Sequence, residues 1–349
     1  MAIARDHEQM RLFIKDYIEI MDTTRLLADE WKYFAKGNAN LLFKYVGPEE
    51  SLRNYLLRLR MKKDAGTYIP TLSITEFIDT KCKALFPTEI ISTKLVELDD
   101  TFLSSLDTNG YDLMPGEKYG LLLPNMLAQC NDHLTLSKHC SLHLREELGI
   151  VKSAVIELKP KWLYDNLDNY CRTCLILQLK GHERHFCTLD LLSTETVARG
   201  VKDLLGKLPD AIKALLKNSD FPIELLLIEY FGGSESILQK LKAKQDSLDD
   251  GTILANVKSE SDVLDQLALR MTLRDVGVFV VIERGQCDGQ VINIRDHGEF
   301  TVAARIYDLD LKPKARYKHW VSTELKLGDV YNSSNLDWPH CVKKTESQK

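Results

Sequence analysis

Apolar residues recur at helical spacing over 7–21, where Met10, Phe13, Ile14, Tyr17 and Met21 share one face of an amphipathic helix. The period then shortens. Three runs rich in aromatic and aliphatic residues, 31–34, 39–46 and 54–61, read as strands. Turns at 37–40 and 47–50, each opening on glycine, join them into a small antiparallel sheet. Helical spacing returns at 73–85 and 92–106, and 120–126 is an apolar strand ending in a breaker at Pro124. Beyond it, 153–157 predicts a buried strand, while 169–179, 194–207 and 210–217 predict helices. The run 224–231 reads as strand, 242–259 as a polar loop and 261–274 as helix. Segments 276–283, 291–295 and 300–311 alternate as a second sheet, and the charged stretch from 343 predicts a frayed tail.

This order gives an α+β chain with a small β-rich N-lobe (1–120), an inter-lobe strand (121–126) and a larger α+β C-lobe (127–342). The expected division is that of a two-lobed, kinase-like fold. With 349 residues, 44% of them hydrophobic, the chain can bury a core in each lobe. Its 46 basic and 51 acidic residues leave a net charge of -5, which argues against direct nucleic-acid binding. An anionic ligand would have to meet local basic clusters, and two exist: Arg58, Arg60, Lys62 and Lys63, then Lys312, Lys314, Arg316 and Lys318. No apolar run is long enough to span a bilayer, and the first eight residues are too charged for a secretory signal. The expectation is an intracellular monomer, nuclear or cytoplasmic or both, with no membrane partner and its eight cysteines reduced.

Two Cys/His groups have metal-ligand chemistry. One is Cys171, Cys174, His182, His185 and Cys187; the other is Cys130, His133, His139, Cys140 and His143. A second C-x-x-C is missing, and Cys171 and Cys174 fall in an apolar helical run where cysteine also packs as a small hydrophobe.

Five segments carry candidate chemistry. Gly37, Asn38, Ala39 and Asn40 form either a plain hairpin turn or a loop whose backbone N–H groups face phosphate, and Arg58 on the next strand favours the second. Glu157-Leu158-Lys159-Pro160-Lys161 leaves a buried strand, with proline directing the two lysines apart. Asp275 lies between an apolar helix and a hydrophobic run, as a helix-end acceptor or an acid/base. Asp308 and Asp310 close a strand, where a two-residue period points both to one face that could share magnesium. Lys312 and Pro313 follow.

In this order the segments resemble the inositol-pentakisphosphate 2-kinase family, over about 31–320, and a fungal member of it. The E-x-K-P-K sequence at 157–161 is the most specific element. The resemblance implies ATP-dependent phosphorylation of inositol 1,3,4,5,6-pentakisphosphate at the 2-hydroxyl, with magnesium (Mg2+) as cofactor. It implies nucleotide contacts from Gly37 to Asn40, Arg58, Pro124, Asn125, Met126, Glu157, Leu158, Lys159 and Asp308. Lys159 would neutralise the transferred group and Asp275 accept the hydroxyl proton, with Asp308 and Asp310 as metal ligands. Lys63, Lys161, Arg172, Asn218, Asp275, Lys312 and Arg316 would meet the inositol phosphate. The chain departs from plant members at Cys174, near which they carry lysine, so either Arg172 would substitute or one substrate contact would be missing. The family's arginine after the Asn218 region is not found here, Asp220 lying near that place, and Cys287 and His297 alone do not rebuild the plant members' zinc site.

The H-R-D, D-F-G and A-P-E signatures of protein kinases are absent, as are the P-loop and the P-x-x-x-D-x-K-x-G of inositol-polyphosphate multikinases. The remaining alternative is an inositol-phosphate binder or scaffold without transfer. Asp275 and Asp308, which a pure binder does not need, favour the enzyme.

Overall fold

The computed structural model describes residues 20–22, 26–163, 171–182, 186–249, 251–285 and 288–331. Of the helix expected over 7–21, only 20 and 21 fall among them, in a strand; the tail from 343 lies outside them. The chain divides into two compact units, Met1–Ala128 and Gln129–Lys349, and is α+β.

In the first unit, six strands form one sheet in the order β1-β5-β6-β4-β3-β2. They are β1 (Ile20–Asp22), β2 (Trp31–Lys36), β3 (Asn40–Tyr45), β4 (Tyr55–Arg60), β5 (Lys94–Glu97) and β6 (Tyr119–Pro124). Alternation explains the meander: Leu41, Phe43 and Tyr45 on β3 are buried with Leu57 and Leu59 on β4. Residues 121–124 of the expected inter-lobe strand belong to β6, an inner strand of this sheet. The helix expected at 92–106 is instead β5 followed by a short α2 (Asp100–Ser105). Leu95 and Val96 are adjacent and both fully buried, which suits a strand covered on two faces. Asp99 then caps α2 by accepting from the Phe102 N–H at 2.7 Å. Helix α1 (Thr71–Phe77) runs on through a π turn to Leu85, near the expected span.

The second unit holds an antiparallel sheet in the order β11-β12-β10-β9-β8-β7. Its strands are β7 (Asp132–Ser137), β8 (Cys140–Glu147), β9 (Ile150–Leu158), β10 (Gly277–Arg284), β11 (Gln290–Ile294) and β12 (Gly298–Tyr307). The β7–β8 hairpin was not foreseen, because its histidines and charges interrupt the apolar pattern. Helices α3 (Arg172–Leu179), α4 (Val197–Leu205), α5 (Asp210–Asn218), α6 (Ile223–Gly232), α7 (Ile237–Ser247), α8 (Asp265–Leu273) and α9 (Tyr317–Tyr331) complete the described elements used below.

The run 224–231 is helix, not strand: Ile223, Leu226, Leu227, Tyr230 and Phe231 are buried at the i, i+3, i+4, i+7, i+8 spacing of one helical face. The polar loop expected from 242 begins inside α7, whose buried positions Ile237, Leu238, Leu241 and Gln245 repeat that spacing while its lysines face solvent.

Register decides where the chemistry goes. Tyr307 at the end of β12 pairs with Gly277 at the start of β10, Val278 pairs with Leu158 at the end of β9, and Leu158 pairs with Cys140. One end of the sheet therefore releases His139, Lys159, Asp275 and Asp308 side by side.

Candidate active site

At this end of the sheet, opposite charges from distant segments pair directly. Lys159 Nζ donates to Asp308 Oδ2 at 2.9 Å. Asp275 is held from two sides: Lys312 Nζ donates to Oδ2 at 2.6 Å, and Lys161 Nζ pairs with Oδ1. Partial burial would push the Asp275 pKa up, but Lys312 and Lys161 outweigh it and hold the carboxyl at about 2. Lys159 titrates above the usual lysine range: burial works against its charge, and Asp308 more than compensates.

Asp275 lines a cavity of about 230 Å³. Seven lysine and arginine side chains line it with that single carboxylate: Lys138, Lys161, Arg172, Lys180, Arg274, Lys312 and Arg316. Trp162 lies between two of them, with the Arg274 guanidinium 3.8 Å from its ring centroid and that of Arg172 at 4.1 Å. Arg172 also pairs with Glu324 on α9, so its orientation is fixed although it is almost wholly buried. His139, on the cavity wall, is pushed down to about 4 by burial and then by Lys161, Lys138 and Lys159. It is neutral at pH 7. A space with this lining attracts a multiply charged anion.

Beside the cavity, Glu157 anchors a hydrogen-bonded chain. Tyr307 donates from its hydroxyl to Glu157 Oε1 at 2.5 Å, and His143 Nε2 lies 3.2 Å from Oε2. His143 Nδ1 is 2.8 Å from His133 Nδ1. With the carboxylate accepting, His143 donates from Nε2 and its other ring nitrogen faces His133. Burial would raise the Glu157 pKa, yet the bonds from His143 and Tyr307 with nearby Lys159 keep it low. Gly277 makes this possible, because a Cβ there would come within 2.1 Å of the Tyr307 ring.

The backbone is specialised at the same place. Lys161 and Asp308 both have positive φ, 60° and 62°, a conformation uncommon without glycine and often found at functional sites. Gln245, fully buried on α7, locks the region: its amide donates to the carbonyls of Lys161 (3.0 Å) and Leu273 (3.1 Å) and accepts from the Leu163 N–H (2.9 Å). Thus one helix fixes both the lysine turn and the helix end preceding Asp275. Helix α8 also presents Thr272, which receives the Lys312 N–H at 3.3 Å.

Of the sequence candidates, Lys161, Arg172, Asp275, Lys312 and Arg316 line the one cavity, and Glu157, Leu158, Lys159 and Asp308 lie beside it at the strand ends. Asp308 stands beyond β12 with φ of 62°, so the two-residue period invoked for Asp308 and Asp310 does not apply to them. As a half-buried oxygen donor next to a lysine, Asp308 fits magnesium, which takes one or two carboxylates together with phosphate oxygens. Asn218 does not join the cluster. It ends α5 next to Ser219, which accepts from the Val151 N–H at the opposite end of β9, about 23 Å away at about 3.3 Å per residue.

Gly37, Asn38, Ala39, Asn40, Arg58, Lys63, Pro124, Asn125 and Met126 all belong to the first unit. There Arg60 touches the glycine turn, donating to Asn40 Oδ1 at 3.0 Å, and in the strand register Arg58 lies opposite Leu42 further along β4. Lys63 is exposed after β4, and Pro124 to Met126 lead into a turn in which the Leu127 N–H donates to Asn125 Oδ1.

Sequence reasoning missed His139, Trp162, Gln245, Arg274 and Tyr307 as parts of this site. Tyr307 was signalled, since it directly precedes Asp308. Gln245 was not, because one amide in a lysine-rich stretch looks like solvated surface.

A family model described as inositol-pentakisphosphate 2-kinase matches residues 33–326. A curated relative of that name from Debaryomyces hansenii is 41% identical, with 90% of this chain and 95% of the relative covered. Relatives of the same name are 27% identical in Kluyveromyces lactis (88% and 98% covered) and 28% identical in Saccharomyces cerevisiae (74% and 77%).

Proposed function

Because this chain belongs to the inositol-pentakisphosphate 2-kinase family, we propose that it transfers the γ-phosphoryl group of ATP to the 2-hydroxyl of inositol 1,3,4,5,6-pentakisphosphate, giving the hexakisphosphate. One observation carries the reading: a lone carboxylate, Asp275, stands among seven lysine and arginine side chains in one cavity. Five phosphates carry roughly -7 to -10 charges, which a cavity of this lining can balance.

The ion pairs suggest how charge is handled. Paired with Lys161 and Lys312, Asp275 is too weak a base to deprotonate a hydroxyl. Phosphates entering the cavity compete for both lysines and so restore basicity to Asp275 as the acceptor hydroxyl arrives. As the ring oxygen bonds to phosphorus and the bond to the leaving ADP breaks, the hydroxyl proton passes to Asp275. Lys159 turns from Asp308 to the oxygens of the group in transfer. Bound magnesium would supply further neutralisation of the nucleotide phosphates, with Asp308 as its protein ligand. In the first unit, the turn at 37–40 with Arg60 beside Asn40 is read as a phosphate-binding loop. The two α+β units are read as the lobes of a kinase-like fold.

The test is incubation of the purified protein with magnesium, γ-labelled ATP and the pentakisphosphate, followed by location of the label on the ring. Label at the 2-position is expected. Label at another position, or an unlabelled ring, overturns the proposal.

A further inference from the structure

Trp162 follows the lysine turn and carries two cations on its ring. The guanidinium carbons of Arg274 and Arg172 lie 3.8 and 4.1 Å from the ring centroid, and all three side chains belong to buried residues. Two planar groups cannot both stack at that distance on one face of a ring, so each arginine takes a face. We propose that Trp162 is a positioning residue, whose indole holds Arg172 and Arg274 as a fixed pair of guanidiniums presented to the phosphates of the inositol substrate. The identity of that ligand rests on the proposed function; the pairing of the two arginines through the ring does not.

The ring is a rigid plate. It packs in an apolar cluster with Leu267, Met271 and Trp320, which fixes its edges. Its backbone is tied on both sides, because the Lys161 carbonyl accepts from the Gln245 amide and the Leu163 N–H donates to it. An arginine otherwise turns about several bonds, and ordering it as a ligand binds costs entropy. Stacked on the indole, each guanidinium keeps its plane and leaves its edge for hydrogen bonds. Both arginines line the basic cavity. The negative faces of the ring also offset the repulsion between two cations held close together.

The two arginines come from separate elements and have different anchors. Arg172 opens α3 and pairs with Glu324 on α9. Arg274 follows α8, with its Nη2 4.0 Å from Asp249 Oδ2. The indole is a contact that both share, and it sets their spacing. Core packing alone asks only for volume at position 162, whereas holding two cations asks for an aromatic face. That difference separates the two roles by experiment.

The test compares the full-length wild type with Trp162→Phe and Trp162→Met, which both lose volume but of which only the first keeps a π face. In calorimetric titration with the pentakisphosphate, Trp162→Met should bind about 10- to 100-fold more weakly, the scale of losing two cation–π contacts. Trp162→Phe should restore most of that loss. KM should rise in Trp162→Met with kcat little changed, because the interaction removed is made equally by bound substrate and transition state. A packing role would instead lower the active fraction, and with it kcat, while leaving affinity unchanged. That result, or equal affinities in the two variants, overturns the proposal. Should Trp162→Met not fold, wild-type protein with isotope-labelled arginine decides. The side-chain Nε–H signals of Arg172 and Arg274, identified through Arg172→Lys and Arg274→Lys, should lie upfield of the other arginines through the ring current and should move as the pentakisphosphate is added. Signals without the upfield shift overturn the proposal. Wild-type protein that binds no pentakisphosphate overturns the proposed function together with this use of the arginine pair, an outcome distinct from binding that Trp162→Met retains in full.

Discussion

At one end of the second sheet, seven cations crowd around Asp275; at the other, Asp220 sits between His297 Nδ1 at 2.5 Å and Arg284 Nη2 at 3.7 Å, and the charges balance. Both clusters tie the ends of strands to neighbouring loops. They differ in solvation and in surplus. Lys312 and Lys161 keep only 13% and 22% of their side-chain surface exposed, against 41% for Arg284 and 56% for Asp220. A balanced, exposed pair contributes little beyond local order. A surplus of half-buried cations is costly to maintain without an anion, and such a surplus marks a ligand site.

The comparison breaks if the cationic end can lose charge without consequence. Replacing Lys161 and Lys312 by methionine removes two charge-assisted contacts, each worth about 1.5–3 kcal/mol, so affinity for the pentakisphosphate should fall by about 10²–10⁴ in a calorimetric titration. Unchanged affinity would place the ligand elsewhere. Gly277→Ala pushes a Cβ into the Tyr307 ring and should cost about 1–3 kcal/mol in urea unfolding, with the Tyr307 bond to Glu157 lost. Tyr307→Phe should give only the smaller share, about 1 kcal/mol.

His139 sharpens the comparison through pH. Its folded pKa of about 4 lies below the ordinary histidine value of 6.5, so the unfolded chain binds the extra proton first. Stability should therefore fall as pH drops from 6.5 towards 4 and level off below, and His139→Asn should flatten that slope. Unfolding midpoints across this range read the difference directly. At the balanced end, Asp220→Asn should change stability by less than about 1 kcal/mol and leave transfer unaltered.

The contrast between the two ends also shows what a sequence reveals. Lys159, Lys161, Asp275 and Asp308 were legible because each follows or precedes a strand whose apolar run is visible, and the antiparallel register brings those ends together. Asn218 also sits in a polar turn, but nothing local says at which end of a strand that turn will dock. Arg58 and Arg60 share a face of β4, and the register that pairs Asn40 with Arg60, which brings Arg60 to the turn, is not written in the local sequence. Helix α6 was misread because leucines and isoleucines filled both the strand pattern and the helical one. Helix α7 was obscured by its lysines, although Ile237, Leu238 and Leu241 already marked its buried face. Gln245 gains its role only from three backbone partners far away in sequence.

The role of Asp275 as the proton acceptor inside an anion site is tested most directly by measuring binding and transfer together in Asp275→Asn. Removing the carboxylate frees Lys161 and Lys312 for phosphate, so the variant should bind the pentakisphosphate at least as tightly as the wild type while failing to phosphorylate it in a single turnover. Transfer at the wild-type rate would contradict the account.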